Sequence, residues 1–179
     1  RIITASIVAS TVVLPIIAIF MMKGLNLISS LEMKDKKERV GPLIITGIFY
    51  LWIYLNTSKH SYVPDYIVYF ILGTIITLFT CFFINLFFKI SLHAAGIAGL
   101  IAGLYIVVNK YQYNEVGLSF FKTSLLIKTN IILILLILIA GIVGSARLVL
   151  KEHNNKEIYW GYGVGVAAMF VASIVVFGR

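Results

Sequence analysis

Six long apolar runs, at about 2–22, 40–55, 66–88, 90–108, 124–144 and 158–178, constrain this chain more than any other feature. A helix of roughly 20 apolar residues matches the ~30 Å hydrocarbon core of a bilayer. In lipid each backbone N–H and C=O must find its partner inside the structure, so continuous runs of this length must be helices. The apolar–polar alternation of an outer-membrane barrel is absent. A soluble fold is excluded by composition: 60% of the residues are hydrophobic and only 12% charged, about half the usual charged share. A water-soluble monomer would expose far larger apolar patches than such proteins tolerate. The expected fold is all-α: a polytopic membrane protein built as a six-transmembrane-helix bundle, one domain over residues 1–179, with Pro15 kinking the first helix. The chain opens at Arg1 without Met, so residues upstream are expected, and the first run reads as a span and not a signal peptide. The single cysteine, Cys81, lies in an apolar run and is expected to pack as a small hydrophobe.

The polar residues concentrate in three connections, 23–42, 89–91 and 145–157. Two spans separate the first from the second, and two more separate the second from the third. An even number of crossings returns the chain to the same side, so all three meet at one end of the bundle. That end gathers Lys34, Lys36, Lys37, Arg39, Lys89, His93, Arg147, Lys151, His153 and Glu157. The other two connections, 56–65 and 109–123, read as turn and interface material, with aromatic residues suited to the membrane boundary. The formal charge of +8 fits anionic head groups or a phosphorylated ligand. It does not indicate nucleic acid, because no soluble basic face is long enough to follow a duplex.

Cations, two histidines and a carboxylate are what phosphoryl transfer without a metal requires. Cations neutralise the phosphate oxygens in the transition state. One histidine attacks phosphorus, the other protonates the leaving oxygen, and a carboxylate fixes the tautomer of the nucleophile. His153 and Glu157 are four apart and share a face of a helix beginning near Asn154, with Asn154 or Asn155 as its cap. Ser91 and His93 open the fourth helix, where free N–H groups favour an anion. Gly96, Gly99 and Gly103 follow and permit close helix approach. A two-metal site is the weaker alternative, since four of this face's five acids (Glu32, Asp35, Glu38, Glu152) sit among lysines. No metal or other cofactor is called for.

At these residues the chain resembles the type 2 phosphatidic acid phosphatase superfamily of membrane lipid phosphatases, whose motifs are Lys-x6-Arg-Pro, Pro-Ser-Gly-His and Ser-Arg-x5-His-x3-Asp. Arg147, His153 and Glu157 reproduce the spacing of the third, with Ala146 for its Ser and Glu157 for its Asp. Gly161 and Gly165 follow. The second motif reads Ile90-Ser91-Leu92-His93, keeping Ser and His. The first is the most altered: Arg39 is followed by Val40, Gly41 and Pro42, the position seven before it is Glu32, and Lys36 is the substitute for the missing Lys. The resemblance implies a metal-independent phosphatase in which His153 is the nucleophile, Glu157 its orienting group and His93 the general acid. It implies phosphate binding by Arg147, Arg39 and Ser91, with Lys36 and Lys89 as further candidates. The expected partner is a lipid phosphate in the membrane.

Other readings stand beside this one. Terminal lysines such as Lys23, Lys37 and Lys156 are ordinarily topological anchors, and His60 reads as plain loop. Tyr159, Trp160 and Tyr162 read as interface anchors or as the wall of an acyl-chain groove. The lost Pro, Gly and Lys of the first two motifs suit a catalytically degenerate relative serving as a subunit of a membrane protein complex, with a membrane protein or a second copy as partner. A transporter is disfavoured because the span centres carry almost no charge. The site face holds nine Lys and Arg and the other face six, which by the positive-inside rule points the site to the cytoplasm. The resemblance implies the exterior, so the expectation is a bacterial inner (cytoplasmic) membrane with the active face periplasmic.

Overall fold

A computed structural model describes residues 2–31, 33, 37–120 and 123–178. Its helices are α1 (Ile2–Val8), α2 (Leu14–Gly24), α3 (Val40–Thr57), α4 (Asp65–Phe87), α5 (Leu92–Tyr111), α6 (Thr129–Val149) and α7 (Asn155–Phe177). A π-helical stretch, Ala9–Val13, fuses α1 and α2 into one span, so among the described residues six helices are long and apolar enough to cross a membrane. The protein is therefore an all-α, six-helix integral membrane protein. Pro15 sits just after the π stretch and has no N–H for the carbonyl of Thr11. The Tyr50 hydroxyl of α3 donates to that carbonyl at 3.3 Å, so the disruption also pins the first span to its neighbour.

The fifth span begins later than hydropathy suggests. It was expected over 124–144 and occupies Thr129–Val149, because the residues before it form an antiparallel hairpin, β1 (Glu115–Phe120) with β2 (Thr123–Lys128). This segment, expected as plain turn and interface material, is rich in β-formers and closes its open end with Glu115 opposite Lys128. Thr129 locks the hairpin base to the end of α5: its N–H donates to Asn114 O at 3.0 Å and its hydroxyl to Tyr113 O at 2.7 Å. The hairpin lies at the end of the bundle opposite the three polar connections.

The core is a seam between α5 and α7, with α4 laid across α7 and α3 across α4. Tyr69, Val107, Met169 and Ala172 fill one end of it. Cys81, Ile90, Ala95 and Val164 fill the other, and Cys81 is fully enclosed, as its apolar setting led us to expect. Two glycines make the seam possible. A methyl group at Gly165 would collide with the carbonyl of Ala95, and one at Gly161 would sit 2.6 Å from the carbonyl of Ser91. The expected close-approach role of Gly96 is not observed, since nothing lies within 4 Å of the place its side chain would occupy. α6 is the opposite case: it leans on α5 and sends Ile134, Ile137, Leu138 and Ile142 outward. Such a surface requires lipid as its solvent.

The seam predicts a sharp contrast between two small substitutions. Gly165→Ala should lower stability in detergent by about 1–3 kcal/mol through overpacking. Gly141→Ala, where nothing lies within 4 Å, should be neutral or stabilising by up to about 1 kcal/mol. Equal melting temperatures for the two variants would mean the seam is looser than described.

Candidate active site at the polar end of the bundle

The site is built from two helix ends meeting in a short turn. Lys151, in the left-handed region at φ 53°, ends α6. The Lys151 N–H donates to Leu148 O at 2.9 Å and the Glu152 N–H to Arg147 O at 3.2 Å, a Schellman closure. The His153 N–H also points at Arg147 O, at 3.4 Å. Asn154 then caps α7, its side-chain oxygen accepting from the Glu157 N–H at 2.9 Å. The spacing Arg147-x5-His153-x3-Glu157 is thus the length of one helix stop followed by one helix start. It fixes three side chains with no flexible linker between them.

His153 is 8% exposed, and its Nδ1–H donates to Glu157 Oε2 at 2.7 Å. Its other nitrogen, Nε2, is left for chemistry. Glu157 is held a second time, because the Asn154 side-chain amide donates to Oε1 at 3.0 Å. Cap and orienting carboxylate are therefore one unit, and the second role of Asn154 was not foreseen from sequence. Burial pulls the His153 pKa below the ordinary 6.5; the Glu157 carboxylate pulls it back up, while Lys89 and Arg39 push it down.

Arg147 reaches across to His93 on the first turn of α5, with Nη2 2.5 Å from Nδ1 and 3.0 Å from Nε2 of the ring. Arg39, 9% exposed, precedes α3, and its Nε–H donates to Met33 O at 2.8 Å. Burial lowers the Arg39 pKa, and Glu152 is the largest opposing influence; a guanidinium remains charged regardless. Arg39, His93, Arg147, Glu152 and His153 all line one cavity of about 730 Å³. The cavity continues from these groups into the span region, between Pro42 and Thr46 of α3, Thr74 and Leu78 of α4, and Gly96 of α5. Thr74 and Thr77 turn their hydroxyls onto their own helix, to Phe70 O and Gly73 O at 2.8 Å each, so this part of the wall is effectively apolar.

Two expected phosphate ligands stand elsewhere. Ser91 is fully buried and caps α5, accepting from the Ala94 N–H at 3.4 Å, while its own N–H donates to Glu157 O at 3.2 Å. Lys89 donates to Glu152 O at 2.5 Å and lies 3.9 Å from its carboxylate. Neither lines the cavity; Ser91 stitches the start of α5 to the first turn of α7, and Lys89 stitches the residue run before α5 to the turn before α7. Lys36 and Lys34 lie outside the described residues. Glu152, read from sequence as one of a mixed-charge stretch, is on the cavity wall. Tyr159 and Trp160 are well exposed and Tyr162 donates to Ala140 O of α6 at 2.6 Å; none of the three is among the residues that line this cavity.

The fold and site together define a six-helix membrane protein with a basic, histidine-bearing cavity at one membrane face. Comparison with protein-family models, with curated proteins and with solved structures finds no match to this chain.

The paired histidine gives a test that needs no substrate. In an NMR titration of the three histidines, His153 should titrate below 6.5. Glu157→Gln removes a contribution that raises its pKa, so the midpoint should fall further. By linkage, this neutral-favouring site contributes stability above pH 6.5 that is lost as pH falls through the depressed pKa. A midpoint that rises in Glu157→Gln would contradict the pairing.

Proposed function

We propose that this protein is a metal-independent phosphatase of lipid phosphates or pyrophosphates, of the type 2 phosphatidic acid phosphatase superfamily, working through a phosphohistidine. The observation that carries the reading is His153, oriented by Glu157 at 2.7 Å, on a cavity shared with Arg39, Arg147 and His93. Nε2 of His153 attacks phosphorus and the bond to the leaving oxygen breaks, with His93 giving that oxygen its proton. Water then attacks phosphorus, passing a proton to His93, and the phosphorus–nitrogen bond breaks with its electron pair returning to His153 Nε2, so that inorganic phosphate leaves. Arg39 and Arg147 counter the charge on the equatorial oxygens. The Arg147 N–H directed at the His93 ring is one that a phosphate oxygen would also accept, so substrate binding would release His93 for proton transfer. The apolar extension of the cavity suits a lipid chain.

The test is phosphate release from a panel of lipid phosphates by purified protein with chelator present. His153→Ala should lower turnover by about 10³-fold or more. Gly96→Leu fills open cavity without touching the helix seam, and should abolish turnover of long-chain substrates while sparing short-chain ones. Full activity in His153→Ala would overturn the mechanism, and equal chain-length profiles would overturn the place assigned to the chain.

A second reading draws on the withdrawal of Ser91 and Lys89 from the cavity, which leaves fewer donors for phosphate: a degenerate relative acting as a subunit of a membrane complex. Absence of turnover on every lipid, together with a co-purifying partner, would favour it.

The phosphatase reading carries a location, the bacterial inner membrane with the site toward the periplasm. A Lys151→Cys protein should react with a membrane-impermeant maleimide added to intact spheroplasts. Labelling only after lysis would reverse the orientation.

A further inference from the structure

The opposite membrane face holds a second cavity, of about 410 Å³, between the start of the first span and the end of α3. Its size falls within the range of small-molecule sites. One wall includes Ala9 and Ser10, where the helix is π-helical. π-Helical turns commonly sit at functional sites, since the extra residue pushes part of the backbone aside. Ser10 is only 6% exposed although it faces this cavity, and Thr57 across from it is 4% exposed.

The chemistry of the lining is selective. Around the cavity stand the rings of Trp52, His60 and Tyr62 and the polar groups of Ser6, Ser10 and Asn56, while Thr57 turns its hydroxyl onto Ile53 O at 2.8 Å. Among the described residues that line it there is no Lys, Arg, Asp or Glu. A phosphate or an ammonium would therefore enter without a counter-charge, at a large desolvation cost. A neutral group rich in hydroxyls meets no such penalty. The Asn56 amide N–H donates to Trp52 O at 2.8 Å, which leaves the side-chain carbonyl as an acceptor. The Trp52 indole N–H is a donor, and His60 and Tyr62 stack on each other with centroids 4.9 Å apart, presenting paired rings beside it. Flat rings beside amide and hydroxyl groups suit the apolar C–H faces and polar edges of a pyranose.

We propose that this cavity binds a neutral polyhydroxyl group of the sugar class, on the face of the membrane opposite the phosphate site. The site is independent of the phosphatase reading. Its place beside two spans suits the head group of a glycolipid, and the same chemistry would take a free sugar.

The experiment follows Trp52 emission in a Trp160→Phe protein, in phosphatidylcholine nanodiscs. The additions are monoglucosyl diacylglycerol, diacylglycerol without sugar, and free glucose. A saturable change with the glucolipid and none with diacylglycerol is expected. A matching response to free glucose would assign a soluble source, and a response to the glucolipid alone a lipid one. Ser10→Leu fills the cavity and should abolish the response. Asn56→Leu, at an exposed position, removes the free acceptor without burdening the core and should weaken binding at least about tenfold. An equal response to diacylglycerol, no response to either sugar, or an unchanged response in a folded Asn56→Leu protein would overturn the proposal.

Discussion

The near-contact of two helix backbones, α5 and α7, is the constraint on which the rest of the structure depends. Gly161 and Gly165 leave no room for even a methyl group against Ser91 and Ala95. That proximity lets the Ser91 N–H bond the carbonyl of Glu157, and lets Lys89 reach the backbone of Glu152. The start of α5, which carries His93, is thereby fixed relative to the turn that carries His153. In a bilayer there is no hydrophobic drive between helices, so packing and hydrogen bonds of this kind must supply the cohesion. The glycines are structural in position and chemical in effect, because they set the distance between two histidines.

The turn before α7 shows how a spacing in sequence becomes a geometry. A helix stop needs a residue in the left-handed region, here Lys151, and a helix start needs an acceptor side chain, here Asn154. Placed back to back they leave His153 between them, with Arg147 behind and Glu157 ahead. Each of the three is positioned by backbone hydrogen bonds that any suitable residue would make. The side-chain chemistry is then carried on a frame that does not depend on it.

Much of this was readable in advance. The six spans follow from hydropathy, and the meeting of three distant segments from the parity of crossings. The His153–Glu157 pair follows from helical spacing. The hairpin escapes a hydropathy reading because the apolar Leu125, Leu126 and Ile127 of its second strand lie close enough to the next span to be taken as its first turn, with Lys128 between them read as a snorkelling residue. Ser91 shows a different limit: a serine before a helix looks the same whether it caps the helix or binds a ligand, and only burial distinguishes the two. Gly96 and Gly165 likewise look alike in sequence; which one faces a neighbouring backbone depends on the rotation of each helix about its axis. The partner of Lys89, 63 residues away, is a tertiary fact with no local signature.

α6 has a bearing on the site that its sparse packing makes plain. It packs along α5, meets α7 at Tyr162 and Ile158 and is tied at its start by Thr129, and most of its remaining surface is exposed apolar side chain. Yet the last turn of this helix carries Arg147, which reaches across to His93. One jaw of the cavity is mounted on an element whose tilt is set as much by acyl chains as by protein. Bilayer thickness and lateral pressure thus become part of the mechanical frame that holds a guanidinium against an imidazole, and the surrounding lipid acts as a structural component of the site.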